Sequence, residues 1–198
     1  MPDLRLQCRD KVLDLSCPAI MGIVNLTPDS FSDGGQLYTG NRLNQSKTLS
    51  AIEKMLNDGA DIIDLGGEST RPGAAEVSDQ QELERVLPIL ELVLDRFDAL
   101  VSVDTSTAIV IREASVKGAH LINDVRALTR DDALEAAAQS GLPVCLMHMQ
   151  NQPQTMQIEP VYQDVAAEVI AFLMTRKQDC IDAGIAAEQI VRASGCEF

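Results

Sequence analysis

The sequence of 198 residues predicts an α/β protein of the TIM (β/α)8 barrel family, with about the first six βα units present. Short apolar runs alternate with polar loops and helical patterns, which indicates parallel strands joined by crossover helices. No GxGxxG follows the first run, so a dinucleotide-binding doubly wound sheet is not indicated. Polar residues end one run after another, as the active-site rim of a barrel requires. We therefore expect residues 1–198 to form a single, incomplete barrel domain.

Five apolar runs predict buried strands, and a sixth strand is predicted to begin at Ile190. Each run is followed within a few residues by a helical pattern, so strand and helix alternate along the chain. The five runs are Ile20–Val24, Asp61–Leu65, Leu100–Val103, His120–Ile122 and Val144–Met147.

The helices carry their own start and stop signals. The second helix is predicted to begin with a capping box of Ser78 and Gln81, and the third to end at Gly118. For the fourth helix, Thr129 with Asp132 predicts the start of an alanine-rich segment. The glycines expected to end the first, fourth and fifth helices are Gly59, Gly141 and Gly184.

The composition argues against several classes of function. The net charge of −14 disfavours non-specific binding to nucleic acid or anionic membranes, so an anionic substrate would need local basic groups or backbone amides. No apolar run approaches the roughly 18 residues of a membrane span, and the N-terminus lacks the apolar region of a signal peptide. The five cysteines are scattered without CxxC spacing, which argues against disulfides and a zinc site. We expect a cytoplasmic protein.

Two side chains at neighbouring strand ends are the first candidates for a binding site. Asp104 follows VSV directly and Asn123 follows HLI directly, so both should point into the mouth formed by the C-terminal ends of the strands. A carboxylate beside an amide can bind the alternating donors and acceptors of a heterocycle edge. Either residue could instead cap the helix that follows it, but two at corresponding positions favour the site.

Two polar loops are suited to close over a ligand. The first lies in Ile20–Gly35, where an apolar strand turns into side-chain oxygens and glycines. The second, Gly66–Ala74, has glycines that let the backbone approach a ligand and one arginine that suits an anion, although an ordinary surface loop is the alternative. His148 ends the fifth run, where packing is the commoner role than catalysis, and Arg126 could lie at the mouth or on the surface.

Five stretches together resemble the dihydropteroate synthases of the bacterial folate pathway. They are MGIVNLTPDSFSDGG, GADIIDLGGESTRPGA, VSVDTS, GAHLINDVRAL and LPVCLMHMQ with a following PQTMQ, in the family's order and spacing over about residues 19–190. The resemblance implies a TIM barrel, usually a homodimer, that joins 6-hydroxymethyl-7,8-dihydropterin diphosphate to 4-aminobenzoate. The products are 7,8-dihydropteroate and pyrophosphate, and sulfonamides compete with the aminobenzoate.

The resemblance also implies roles at the strand ends. Asn25 matches the asparagine that helps to hold Mg²⁺ against the diphosphate, which makes Mg²⁺ the expected cofactor. Asp104 and Asn123 match the pair that binds the pterin.

Further roles fall on the two loops. Thr70 and Arg71 match residues near the aminobenzoate and the diphosphate, and Pro28 and Phe31 match positions that line the aminobenzoate pocket. Asp33 matches an acid near the reacting methylene, where a carboxylate would stabilise the cation left when pyrophosphate departs. Asp33 and Arg71 are thus the expected catalytic residues.

The last residues depart from the pattern of the family. An apolar run into DPGxGF is expected at the sixth strand, whereas residues 191–198 diverge, and Ala193 stands where a second pterin-binding aspartate is expected. A lysine and an SxRxH stretch that help to hold pterin and diphosphate have no match, nor do the final helices that carry most dimer contacts. A C-terminally truncated synthase with weak or no activity is therefore expected.

Two alternatives remain at this point. A non-catalytic pterin-binding fragment would keep Asp104 and Asn123 without turnover. A related pterin-barrel methyltransferase would share that pair of residues. It should, however, lack the NLTPDSFSDGG and ESTRPG loops, because it has neither a diphosphate nor an aminobenzoate to bind.

Overall fold

A computed structural model describes residues 4–28, 38–39, 42–69, 77–150 and 161–194 of the chain. Ten strands lie in these ranges and form three sheets. In chain order they are β1 (Arg5–Cys8), β2 (Lys11–Asp14), β3 (Met21–Asn25), β4 (Tyr38–Thr39), β5 (Arg42–Leu43), β6 (Ile62–Gly66), β7 (Leu100–Asp104), β8 (Leu121–Asp124), β9 (Val144–Met147) and β10 (Ile190–Ala193).

Five α-helices of the described residues follow the first five parallel strands, and a short 3₁₀ turn precedes the sixth. The helices are α1 (Gln45–Asn57), α2 (Asp79–Arg96), α3 (Ala108–Lys117), α4 (Ala133–Ser140) and α5 (Val165–Asp182). No helix within the described ranges is both long and apolar enough to cross a membrane.

The main sheet is a six-stranded parallel arc in the order β10-β9-β8-β7-β6-β3. Each of its first five strands in sequence is followed by a helix and then by the neighbouring strand, which is the connectivity of a TIM barrel. Among the described residues, β3 pairs only with β6 and β10 only with β9. The prediction of a barrel with six strands is confirmed, including the strand at Ile190.

The main hydrophobic core lies between the outer face of the arc and the helices. Outward-facing strand residues such as Ile63, Val103 and Ile122 have no solvent exposure and pack with α2 residues such as Ile89 and Leu90. Burial of apolar surface is the main favourable term in folding, so this layer holds the strands in register. The inner face is thereby left to carry polar groups.

A hairpin that the sequence patterns did not predict covers the N-terminal end of the arc. Strands β1 and β2 pair in antiparallel fashion around a turn in which Arg9 has a φ of 57°. The alternation of exposed and buried residues in Arg5–Cys8 is the usual signature of a half-buried strand, but it covers only four residues. The hairpin packs Leu6, Cys8 and Leu13 against the strand residues Ile62, Leu100 and Leu121.

The helix signals were largely correct. The capping box forms. The backbone N–H of Gln81 donates to Ser78 Oγ, and the backbone N–H of Ser78 donates to Gln81 Oε1. Gly118 ends α3 with a φ of 111°. The prediction for Thr129 was wrong, because its hydroxyl donates to the Arg126 carbonyl at 2.8 Å and α4 begins only at Ala133.

Candidate active site

Four residues form one row across neighbouring strand ends at the mouth. Asn25 pairs in register with Gly66, Gly66 with Asp104, and Asp104 with Asn123. Residues paired in register on parallel strands point to the same face of a sheet. The arc therefore brings together Asn25, Asp104 and Asn123, all three of which are predicted site residues.

Asp104 and Asn123 do not cap the helices that follow them. The N-cap of α3 is Thr107, and the N-cap of α4 is Asp132. Both Asp104 and Asn123 are only partly buried, at the accessible end of the arc. Their side chains are thus available at the inner face for a ligand rather than committed to a helix terminus.

Asp64 lies one layer deeper on the inner face and contacts Asn123. The Asn123 amide nitrogen donates to Asp64 Oδ2 at 3.2 Å, and Asp64 is only 3% exposed. Its other oxygen and the hydroxyl of its register neighbour Ser102 find no hydrogen-bond partner among the described residues. We refer to Asp64, Ser102, Asp104 and Asn123 as the inner cluster.

The inner cluster holds carboxyl groups that resist ionisation. Burial, and then the nearby charges of Asp64 and Asp124, raise the pKa of Asp104 well above its usual value. Burial also raises the pKa of Asp64, although the nearby Ser102 hydroxyl and then the hydrogen bond from Asn123 oppose this. A donor group that hydrogen-bonds to an ionised carboxylate stabilises it, so a ligand with N–H groups along one edge would relieve this unfavourable arrangement.

A second group of polar residues lies beside the inner cluster, and every carboxylate oxygen in it accepts a hydrogen bond. Arg126 Nη1 donates to Glu68 Oε2 at 2.8 Å, and Nη2 donates to Glu68 Oε1 at 2.9 Å. Arg126 also donates to Ser106 Oγ at 3.0 Å, and the Ser106 hydroxyl donates to Asp124. We refer to Glu68, Ser106, Asp124 and Arg126 as the paired cluster. It places Arg126 at the mouth, with 8% of the residue exposed.

The turn after β8 supports the paired cluster. The backbone amides of Arg126 and Leu128 donate to the two oxygens of Asp124, each at 2.8 Å. Ala127 and Leu128 have φ values of 51° and 59°, and Arg176 of α5 donates to both of their carbonyl oxygens. The sequence signal for this arrangement was the NDVRAL stretch, but its partners Glu68 and Arg176 are distant along the chain.

The segment after β6 packs tightly against α2. A Cβ on Gly67 would lie 2.7 Å from Val86 Cγ2, closer than real Cβ atoms approach, and 3.0 Å from Glu82 Cγ, a tight contact. Glu82 is 2% exposed and accepts hydrogen bonds from the hydroxyls of Thr105 and Thr107. Gly67 is therefore required by packing where the chain leaves the strand.

His148 lies among aromatic side chains rather than in the row of strand-end residues. Its ring is 5.1 Å from Phe172 in an edge-on arrangement and 6.0 Å from Tyr162. Burial lowers the pKa of His148, so the neutral imidazole is favoured. These contacts indicate a packing role.

Several predicted site residues lie outside the described ranges. Pro28 is the last described residue of the first loop and is exposed. The residues without a described position are Phe31, Asp33, Thr70 and Arg71.

The donor set at the rim suits a hard cation only in combination with a phosphate ligand. No group of three His, Cys, Asp or Glu side chains that could hold a metal occurs among the described residues. Asn25 Oδ1 lies 3.7 Å from where a Cβ of Gly66 would stand, at the same end of the arc as Asp104. Mg²⁺ is commonly bound through few protein oxygens together with substrate phosphates and water, and Asn25 fits such a site.

Comparisons with known proteins agree on one family. The sequence profile of the family described as pterin-binding enzymes matches residues 21–198. The dihydropteroate synthase of Haemophilus influenzae is 53% identical over 195 residues, which are 98% of this chain and 69% of the relative. A Yersinia pestis dihydropteroate synthase solved with a sulfonamide drug superposes with a TM-score of 0.92 at 51% identity, covering 98% of this chain and 69% of that one. A Burkholderia cenocepacia dihydropteroate synthase complexed with 7,8-dihydropteroate superposes with a TM-score of 0.82 at 39% identity, covering 98% and 64%.

Proposed function

The chain belongs to the pterin-binding enzyme family and, within it, to the dihydropteroate synthases, and we propose that its mouth binds the pterin substrate of that reaction. The reaction joins 6-hydroxymethyl-7,8-dihydropterin diphosphate to 4-aminobenzoate and releases pyrophosphate. The methyltransferase alternative is disfavoured, because the Haemophilus influenzae and Yersinia pestis proteins that match 98% of this chain are dihydropteroate synthases.

The register of Asn25, Asp104 and Asn123 across adjacent strands carries this proposal. Asp104 and Asn123 offer a carboxylate and an amide to one edge of the ligand. A pterin edge alternates N–H donors with ring acceptors, so it can pair with both. The raised pKa of Asp104 supports this, because a carboxyl short of donors gains most from a ligand that supplies them.

Asn25 is the proposed protein ligand of Mg²⁺, with its amide oxygen at the rim of the row. When bound there, Mg²⁺ would neutralise charge that develops on the leaving diphosphate oxygens. Asn25 then has the task of placing the diphosphate end of the substrate opposite the end held by Asp104 and Asn123. This division orients the substrate along the row of strand ends.

The loops are proposed to complete the reaction. The nitrogen of 4-aminobenzoate forms a bond to the pterin methylene carbon, the carbon–oxygen bond to the diphosphate breaks, and the amine proton passes to solvent. Arg71 is proposed to stabilise the leaving diphosphate and Asp33 the cationic methylene. Thr70, Pro28 and Phe31 are proposed to position the aminobenzoate, for which sulfonamides would compete.

The cellular location and the oligomeric state of the chain are also proposals. A cytoplasmic location is proposed from the scattered spacing of the five cysteines, which is unlike a disulfide framework. The homodimer implied by the resemblance stays a prediction, and light scattering of the purified chain would test it.

Calorimetry with 6-hydroxymethylpterin tests the proposed function. We expect the chain to bind this pterin and Asn123→Ala to weaken binding about tenfold, since a hydrogen bond to the ligand is worth about 1–1.5 kcal/mol. Asn57→Ala, on an exposed turn of α1, is the matched control and should bind as the unaltered chain does.

A product assay with both substrates and Mg²⁺ separates the enzyme from a binding fragment. Formation of 7,8-dihydropteroate supports the synthase, and pterin binding without product supports a non-catalytic pterin-binding protein. A chain that neither binds pterin nor forms product would contradict the proposal.

A further inference from the structure

Gly66 occupies the one position in the row of strand ends that carries no side chain, between Asn25 and Asp104. We propose that Gly66 is a specificity-determining residue, whose missing side chain leaves room between Asn25 and Asp104 for the second ring of a bicyclic pterin. The proposal rests on the pterin-binding function proposed above and adds a residue that decides which heterocycles fit.

The geometry shows that folding does not require glycine at this position. A Cβ on Gly66 would lie 3.6 Å from Asp104 Oδ2, 3.7 Å from Asn25 Oδ1 and 3.8 Å from Asp104 Cβ, all ordinary van der Waals distances. Its φ lies outside the left-handed region that favours glycine, unlike that of Gly118 or Gly141. Alanine is therefore compatible with both the backbone and the packing.

The next residue shows the contrast. Gly67 is closed in by Val86 and Glu82 on the α2 side, so packing accounts for it. Gly66 faces the opposite way, toward the side-chain oxygens of Asn25 and Asp104. The two consecutive glycines therefore serve different purposes: Gly67 allows close packing against α2, and Gly66 is proposed to make room for the ligand.

The order of the row indicates which part of the ligand lies over Gly66. Asp104 and Asn123 are proposed to hold the pyrimidine edge, and Asn25 the diphosphate end. Gly66 stands between them, beneath the second ring and its methylene substituent. Carbon atoms in contact are about 3.5–4.0 Å apart, so a methyl group here would displace that ring and weaken its hydrogen bonds at the far edge.

Calorimetry on three chains with two probes tests the proposal. The probes are 6-hydroxymethylpterin and isocytosine, a single ring with the same hydrogen-bonding edge as pterin. We expect Gly66→Ala to weaken pterin binding about tenfold or more and isocytosine binding by no more than about twofold. The unfolding midpoint of Gly66→Ala should stay close to that of the unaltered chain.

Gly22→Ala is the matched control, because its methyl group points to the outer face, toward Met55 Sδ at 3.1 Å and Ile63 Cδ1 at 3.3 Å. It should leave pterin affinity unchanged. Equal loss of both probes in Gly66→Ala, or no loss of either, would overturn the role of Gly66 while leaving pterin binding by the unaltered chain intact. Failure of the unaltered chain to bind pterin would overturn the proposed function and this inference with it.

Discussion

The paired cluster and the inner cluster are both rich in carboxyl groups at the same end of the arc, yet their hydrogen bonding differs. In the paired cluster, Glu68 receives two hydrogen bonds from Arg126, and Asp124 receives one hydroxyl and two backbone donors. In the inner cluster, Asp64 receives one donor and leaves an oxygen without a partner among the described residues. The paired cluster therefore stabilises the mouth itself, whereas the inner cluster has polar atoms to which a ligand could form hydrogen bonds.

The energetic meaning of this difference is direct. A buried polar group without a partner costs about 1–3 kcal/mol, whereas a satisfied one contributes modestly to stability. Sites that bind ligands commonly retain such unfavourable arrangements because the ligand relieves them. The two clusters should therefore respond in opposite directions when their polar groups are removed.

The largest effect is expected when the paired cluster loses its cation. Arg126→Met leaves Glu68 and Asp124 buried without the guanidinium, and loss of one partner of a buried pair destabilises by about 3 kcal/mol. Urea denaturation should show this as a lower free energy of unfolding. The control is Arg96→Met, which removes an exposed pair with Glu53 and should change the value by less than about 1 kcal/mol. Similar small changes in both variants would contradict a structural role for the paired cluster.

The inner cluster should make the free energy of unfolding fall as the pH rises. The pKa of Asp104 is raised in the folded chain, so the folded chain holds a proton that the unfolded chain releases near pH 4. The stability from this group is complete below that pH and is lost as pH rises through the folded pKa. Asp104→Asn removes the ionisation and should therefore raise the free energy of unfolding at pH 7 while weakening pterin binding.

Denaturation at several pH values measures this effect. Asp104→Asn should show a smaller fall in stability between pH 4 and pH 7 than the unaltered chain. Asp98→Asn is the control of opposite sign, because the Lys11 ammonium lowers the pKa of this exposed carboxyl. Its removal should lower stability at pH 7. An unchanged pH profile in Asp104→Asn would show that the inner cluster is as well satisfied as the paired one.

Short-range sequence patterns predicted which polar residues lie at the ends of the strands. Asp104 and Asn123 were found because each follows a buried apolar run, and parallel strands bring such ends together. The pairing of Arg126 with Glu68 joins two loops 58 residues apart, so no local pattern determines it. From sequence alone, Arg126 is therefore compatible with the mouth or with the surface.

The two consecutive glycines were also beyond the reach of sequence patterns. Both were assigned to a loop that approaches a ligand, whereas Gly66 ends a strand and only Gly67 begins the loop. The different surroundings of these residues follow from the packing of α2 and from strand register. Thr129 failed for a related reason, since a good capping residue was used by a turn instead.

The smallest changes in stability are expected when one buried serine is removed from each cluster. Ser106 has 1% exposure and joins Arg126 to Asp124, whereas Ser102 is fully buried without a hydrogen-bond partner among the described residues. Ser106→Ala leaves a charged donor and a buried acceptor unmatched and should destabilise by about 1–2 kcal/mol. Ser102→Ala removes a hydroxyl that lies beside Asp64 but falls short of hydrogen-bond geometry, so the free energy of unfolding should change by less than about 0.5 kcal/mol. Both substitutions delete one hydroxyl oxygen at nearly equal burial, so the difference between them in urea denaturation chiefly reports the hydrogen bonds of Ser106. Equal losses would mean that Ser102 is bonded as firmly as Ser106 and that the inner cluster is not short of partners.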